Sequence, residues 1–253
     1  MKEQLYTIPL MDAFKAEDEC PFCYIERLLE QQALRFVLGP GASYMEDDIR
    51  AETDRLGFCR THFKKMYDYG NRLGCGLILS THIKEKTKTL SERLNNYKPT
   101  KISPLSRLKK THNSTNNELV NWLHDQVHSC YICNYIQNTY QRYLDTFFDL
   151  YKHNPDFLPF LQNCKGFCLM HFEDIIKFSD FQLSEKEKEN FYHILFPIMI
   201  QNFQRIQSDM EWFCEKFDYR NRNADWKTSK DAIPRTMQKI TGGYAADPIY
   251  TQD

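Results

Sequence analysis

Apolar residues along this chain recur mostly at steps of three and four. Period-two alternation is scarce, and no Asn-Gly or Asp-Gly hairpin signal is present. The pattern predicts helices nearly throughout. The clearest runs from Ser184 to Phe217, where Ser184 and Glu187 have capping-box spacing and Phe191, Leu195, Ile198, Phe203, Ile206 and Met210 mark one face. Pro197 predicts a kink within it. A narrower stripe of Leu79, Ile83, Leu90 and Leu94 predicts a helix over 77–94. Shorter helices are expected over 8–15, 24–36, 45–56 and 119–128, with breaks at Gly39-Pro40-Gly41 and Asn154-Pro155.

Between these patterns, residues 95–117 carry two prolines, several Ser, Thr and Asn residues and no sustained apolar period, as a linker does. The expected organisation is therefore a first helical repeat at 1–94, a basic polar linker at 95–117, a second repeat at 118–219 and an extension at 220–253. The last part of the extension, from Thr241, has the small residues of a tail.

What sets the chain apart is one pattern of cysteine and histidine that occurs twice. Cys20 and Cys23 form a CxxC (CPFC), followed by Cys59 and His62 in the phrase GFCRTHF. Cys130 and Cys133 form a second CxxC (CYIC), followed by Cys168 and His171 in GFCLMHF. From copy to copy the CxxC pair moves by 110 residues and the CxxH pair by 109. A CxxC brings two thiolates onto one tight turn, half of many zinc sites. In CxxH the sulfur and the imidazole lie one helical turn apart on the same face. Gly57 and Gly166, two residues before each of these cysteines, suit the sharp approach to that turn.

Three thiolates and a neutral imidazole make a tetrahedral Cys3His set that favours Zn2+, with a net charge of −1 that a helix N-terminus would partly offset. The expectation is one such site in each half, two zinc ions per chain, held by Cys20, Cys23, Cys59 and His62 and by Cys130, Cys133, Cys168 and His171. Spacing alone leaves iron or an iron–sulfur cluster open. The fold expected is all-α: two pseudo-repeated helical halves, each pinned by a CxxC knuckle and a CxxH at a helix N-terminus.

Other uses of these motifs fit less well. CPFC follows a charged helical segment rather than a buried strand, which argues against a glutaredoxin-like site. Haem attachment needs histidine after the second cysteine, where Tyr24 and Asn134 stand. Cys75, Cys164 and Cys214 lie outside the pattern and read as core residues, with Cys164 a spare ligand in reach of Cys168. His124 and His128, one turn apart, read as surface residues beside the second CxxC. Trp122, Trp212 and Trp226 read as packing residues.

The 253 residues carry a formal net charge of −1, which gives no general argument for nucleic acid or membrane. The only basic stretch, Lys84 to Lys110, has nine Lys or Arg residues against two Glu but almost no interleaved aromatics, so a solvated face is expected there. The most apolar run, His193 to Ile200, is far short of the roughly 20 residues of a membrane span. Charges break the N-terminus where an export signal would need an apolar run, and nine cysteines without such a signal point to a reducing, cytoplasmic address. Phosphate-loop, GxSxG, HExxH and paired-carboxylate signatures are absent.

With CPFCYIE, GFCRTHF, CYIC, GFCLMHF and the closing DWKTSKDAIPRTMQKITG, the chain resembles, over nearly its whole length, an uncharacterised bacterial family known as a domain of unknown function. The resemblance implies a cytoplasmic helical protein with the duplicated motif and supplies no activity. The function expected is therefore a zinc-stabilised helical protein that recognises a partner protein through its surface. The alternative is a redox- or metal-responsive thiolate switch, and a metal-dependent enzyme comes third because no base accompanies the ligands in sequence.

Overall fold

The computed structural model describes residues 2–41, 46–98 and 117–251, and among these there are eleven α-helices and no strand. In chain order they are α1 Lys2–Lys15, α2 Pro21–Leu38, α3 Asp47–Leu56, α4 Arg60–Asp68, α5 Arg72–Asn95 and α6 Glu118–His128. Then come α7 Tyr131–His153, α8 Leu158–Asn163, α9 Leu169–Gln182, α10 Glu185–Glu215 and α11 Ala232–Thr241. The long helix expected at 184–217 is α10, unbroken through Pro197, and the Glu187 carboxylate accepts from the Ser184 backbone N–H at 2.8 Å as the capping-box spacing predicts. Nearly all of the expected linker lies outside the described residues.

The chain forms two compact units, and they are not the consecutive halves expected from the repeat. One unit comprises Met1–Glu30 and Ile136–Pro248, the other Gln31–Tyr135 and Ile249–Asp253. The boundaries fall inside α2 and α7.

The first unit is built on aromatic residues. Phe147 of α7 meets Phe22, Phe157, Phe167 and Phe191 edge-on, with ring centroids 5.6–6.1 Å apart. Phe22 is the third residue of CPFC and Phe167 precedes the cysteine of GFC; their rings stack at 5.7 Å, and both are fully buried. Burying a side chain of that size contributes roughly 1.5–3 kcal/mol, so the residues between the cysteines anchor both motifs to one core. In the second unit the same positions hold Ile132 and Phe58, again buried, beside Met66, Tyr69 and Ile78.

One sequence reading needs correction. The stripe on α5 is not a core face: Leu79, Ile83, Leu90 and Leu94 are exposed, and α5 turns Gly74, Ile78, Thr81 and His82 inward. Polar groups on α3 decide this, since Asp54 accepts from the Thr81 hydroxyl at 2.9 Å and its carbonyl lies 3.2 Å from His82 Nδ1. The extension at 220–253 also holds a helix that the apolar pattern does not mark. Its helix α11 packs on α9 and α10 in the first unit and buries Arg235, Gln238 and Lys239, a polar face that hydrophobic periodicity does not register.

Two candidate metal centres

Both CxxC motifs open a helix. Cys20 stands just before α2 and Cys130 just before α7, and their carbonyls accept the first helical bonds from Tyr24 (3.2 Å) and Asn134 (2.9 Å). Both CxxH motifs do the same: Cys59 caps α4, Cys168 caps α9, and their carbonyls accept from Phe63 (2.9 Å) and Phe172 (2.8 Å). Each ligand pair thus sits in the first turn of a helix, where unpaired backbone N–H groups and the positive end of the dipole favour thiolate. Two are seen to bond, as His171 N donates to Cys168 Sγ at 3.4 Å and Cys133 N to Cys130 Sγ at 3.5 Å.

Gly57 and Gly166 have φ of +63° and +73°, so the left-handed turn before each CxxH needs glycine. At Gly57 a Cβ would also stand 2.8 Å from His82 Cε1. Gly57→Ala is expected to cost about 2 kcal/mol, measured by denaturant unfolding, because left-handed strain and the clash act together. Adding His82→Ala should recover only the clash.

The four helix N-termini meet in pairs, and the pairs cross the repeat. Cys20 and Cys23 meet Cys168 and His171 in the first unit; Cys130 and Cys133 meet Cys59 and His62 in the second. All eight expected residues are brought together in fours, but the expected sets Cys20, Cys23, Cys59, His62 and Cys130, Cys133, Cys168, His171 do not form. The two copies offer identical ligand types, so either pairing completes a Cys3His set, and core packing chooses between them.

In each group the candidate ligand atoms lie within 4.8 Å of one another. His171 Nδ1 is 3.1 Å from Cys168 Sγ, 3.3 Å from Cys20 Sγ and 3.5 Å from Cys23 Sγ, and Cys23 and Cys168 Sγ are 3.7 Å apart. His62 Nδ1 is 3.2 Å from Cys59 and Cys130 Sγ and 3.3 Å from Cys133 Sγ, with Cys59 and Cys133 Sγ 3.8 Å apart. A tetrahedron with metal–sulfur bonds of about 2.3 Å and metal–nitrogen bonds of about 2.0–2.1 Å has edges of about 3.8 Å (S···S) and about 3.6 Å (S···N). The clusters are the size of such a tetrahedron, and their sulfurs are too far apart for disulfides, which need about 2.05 Å.

Electrostatics in each cluster separate the sulfurs. Hydrogen bonds from Cys20 and Cys23 pull the Cys168 thiol far down, while burial pushes Cys20 up and the bond to Cys168 pushes Cys23 up. In the second cluster burial opposes ionisation of Cys130, but the bond with His62 brings it down to about 6; burial raises Cys133.

Several groups invisible as ligands in the sequence surround the first cluster. His171 Nε2 is buried without a well-aligned hydrogen bond, yet Glu26 Oε2 lies 3.3 Å away. That suits a histidine ligating through Nδ1, whose other nitrogen carries the proton and faces a carboxylate. Glu26 lies one turn after Cys23, and the corresponding position after Cys133 is Ile136. Helix α11 closes the other side. Lys239 Nζ donates to the carbonyls of Glu19 and Lys165, tying the approach to CPFC to the approach to GFC. Gln238 Nε2 donates to Asp18 Oδ1 at 2.6 Å, and a Cβ on Gly242 would lie 3.5 Å from Cys168 Sγ. In the second unit the same two loops join directly, through Ser129 Oγ to the Leu56 carbonyl at 2.7 Å and Tyr131 N to the Gly57 carbonyl at 2.9 Å.

The remaining candidates stay outside both clusters, and of the three cysteines expected in the core Cys164 is buried, Cys75 half-buried and Cys214 exposed. Cys164 accepts from Gly166 N at 3.3 Å, and burial pushes its thiol up to about 11. His124 and His128 stack on exposed faces of α6 with centroids 4.0 Å apart. Trp122 lies under the Arg93 guanidinium, Trp212 Nε1 donates to the Asp225 carbonyl at 3.0 Å, and Trp226 packs against Phe213 and Phe217.

No helix among the described residues is long and apolar enough to cross a membrane. No curated protein and no solved structure matches the chain. Residues 1–247 match a family of unknown function, DUF6062, and with that match running through both clusters and the closing α11 segment, the chain belongs to this family.

Proposed function

We propose that this is a cytoplasmic, zinc-stabilised helical protein that holds two Zn2+ ions per chain as structural centres and acts by recognising a partner protein. The observation that carries the reading is the pair of Cys3His clusters of tetrahedral size, each joining two helix N-termini far apart in sequence. Four protein ligands fill a tetrahedron and leave no position for a bound water, as structural zinc requires and hydrolytic zinc does not. Sulfurs 3.7–3.8 Å apart support a single ion over an iron–sulfur cluster, whose several atoms would spread the cysteines. Nine free cysteines fit a reducing compartment. The partner reading draws on α6, which buries none of its residues and exposes Val120 and Val127.

Elemental analysis with zinc-edge absorption on the purified chain is expected to give about two ions, each with about three sulfur neighbours and one nitrogen. Structural zinc binding is worth about 10–16 kcal/mol, comparable to the whole stability of a domain, so chelation should strip helicity from the circular dichroism spectrum. A chelated chain that keeps its full helical signal contradicts the proposal.

A further inference from the structure

The two clusters have the same ligand set but not the same cover. Cys20, Cys23, Cys168 and His171 are all buried, and a Cβ on Gly242 would lie 3.5 Å from Cys168 Sγ and 3.8 Å from Cys23 Sγ. In the other cluster His62 and Cys130 are buried, Cys59 is half-buried and Cys133 is exposed. We infer that Cys133 is an oxidant-reactive site, the point at which a peroxide opens the second centre while the first stays closed. This rests on the reading of both clusters as zinc centres.

Oxidation of a cysteine requires thiolate character and access. Coordination to a cation keeps every ligand thiol deprotonated, so access decides among them. Cys133 has it; Cys20, Cys23 and Cys168 do not. The Cys133 sulfur attacks one oxygen of hydrogen peroxide, the O–O bond breaks, and hydroxide leaves and takes up a proton to become water, with sulfenic acid at Cys133. The Cys59 thiolate, 3.8 Å away, attacks that sulfur; an S–S bond forms, the S–O bond breaks, and a second hydroxide leaves and is protonated. The two sulfurs have lost two electrons and the peroxide has gained two. Only Cys130 and His62 would then remain to hold an ion, too few to retain it.

Cys214 is exposed but belongs to neither cluster, so Cys214→Ser is the background for the test. The zinc-loaded full chain is treated with hydrogen peroxide while a chromogenic chelator reports free zinc and peptide mass mapping locates the oxidised residues. Half the zinc is expected in a first phase at least about tenfold faster than the second, with Cys59 and Cys133 oxidised and Cys20, Cys23 and Cys168 intact when it ends. Release of both ions in one phase, or first oxidation at Cys20, Cys23 or Cys168, overturns the inference. Because Cys133→Ser can itself empty the second centre, the second arm uses Cys23→Ser/Cys168→Ser, which retains only that centre. All its zinc should leave in the fast phase, and slow release overturns the inference. A chain without zinc before peroxide is added overturns the zinc reading and this inference with it; zinc held at both centres and lost from both together overturns this inference alone.

Discussion

A chain carrying Cys23→Ser and Cys168→Ser is expected to retain about one zinc ion, and a chain carrying Cys23→Ser and Cys59→Ser about none. The first pair removes two ligands from one cluster, leaving the other whole; the second removes one ligand from each. Had each copy of the motif formed its own site, the outcomes would be reversed. Metal content after dialysis against a weak chelator decides between them. Stability should follow the same division, because metal binding and folding are linked. The first variant should lose the helical signal of residues 1–30 and 136–248 and keep that of the unit holding Cys59, His62, Cys130 and Cys133.

The second large effect is expected at Arg235. Its Nη1 lies 2.8 Å from Asp209 Oδ2 and 3.5 Å from Glu19 Oε1, its Nε donates to Asp231 Oδ1 at 2.8 Å, and Arg205 and Lys239 complete the charge balance around Glu19. Arg235, Asp209 and Glu19 are all buried. Removing one partner of a buried pair strands the other, at a cost of about 3–5 kcal/mol. Arg235→Met should therefore lower the first unit's thermal midpoint by roughly 10 °C. Glu19 immediately precedes Cys20, so the same variant should release zinc faster from the first centre than from the second. A midpoint within a degree or two of the unsubstituted chain would show that the network contributes no net stability.

That network also marks where pattern reading fails. The helix over 184–217 was legible because Phe191, Leu195, Ile198 and Ile206 are both periodic and buried. Helix α11 was not, because what it buries is Arg235, Gln238 and Lys239, and charged residues at helical spacing normally mark a solvated face. On α5 the reverse error arises: leucines at helical spacing are exposed, and the helix is held by Thr81 and His82 against Asp54. In both cases the deciding contact is a polar partner distant in sequence.

The eight residues of the two clusters were fully legible. Two CxxC and two CxxH motifs in register, each preceded by its glycine where CxxH demands a left-handed turn, specify the chemistry and the local geometry, because both depend on residues within one helical turn. Which pairs meet is a different kind of fact. The copies offer the same donors, so coordination chemistry is indifferent to the pairing, and closing the observed separations of 145 (Cys23 to Cys168) and 68 (His62 to Cys130) residues instead of about 35 costs only about 1 kcal/mol each in closure entropy. Burial of Phe22 against Phe167 outweighs that difference, and it joins the first CxxC to the second CxxH. The sequence alone determined an all-α chain with two CxxC and two CxxH motifs at helix N-termini. Only tertiary packing decided that the motifs pair across the copies, that α11 covers one of the two clusters, and that Cys133 of the other faces solvent.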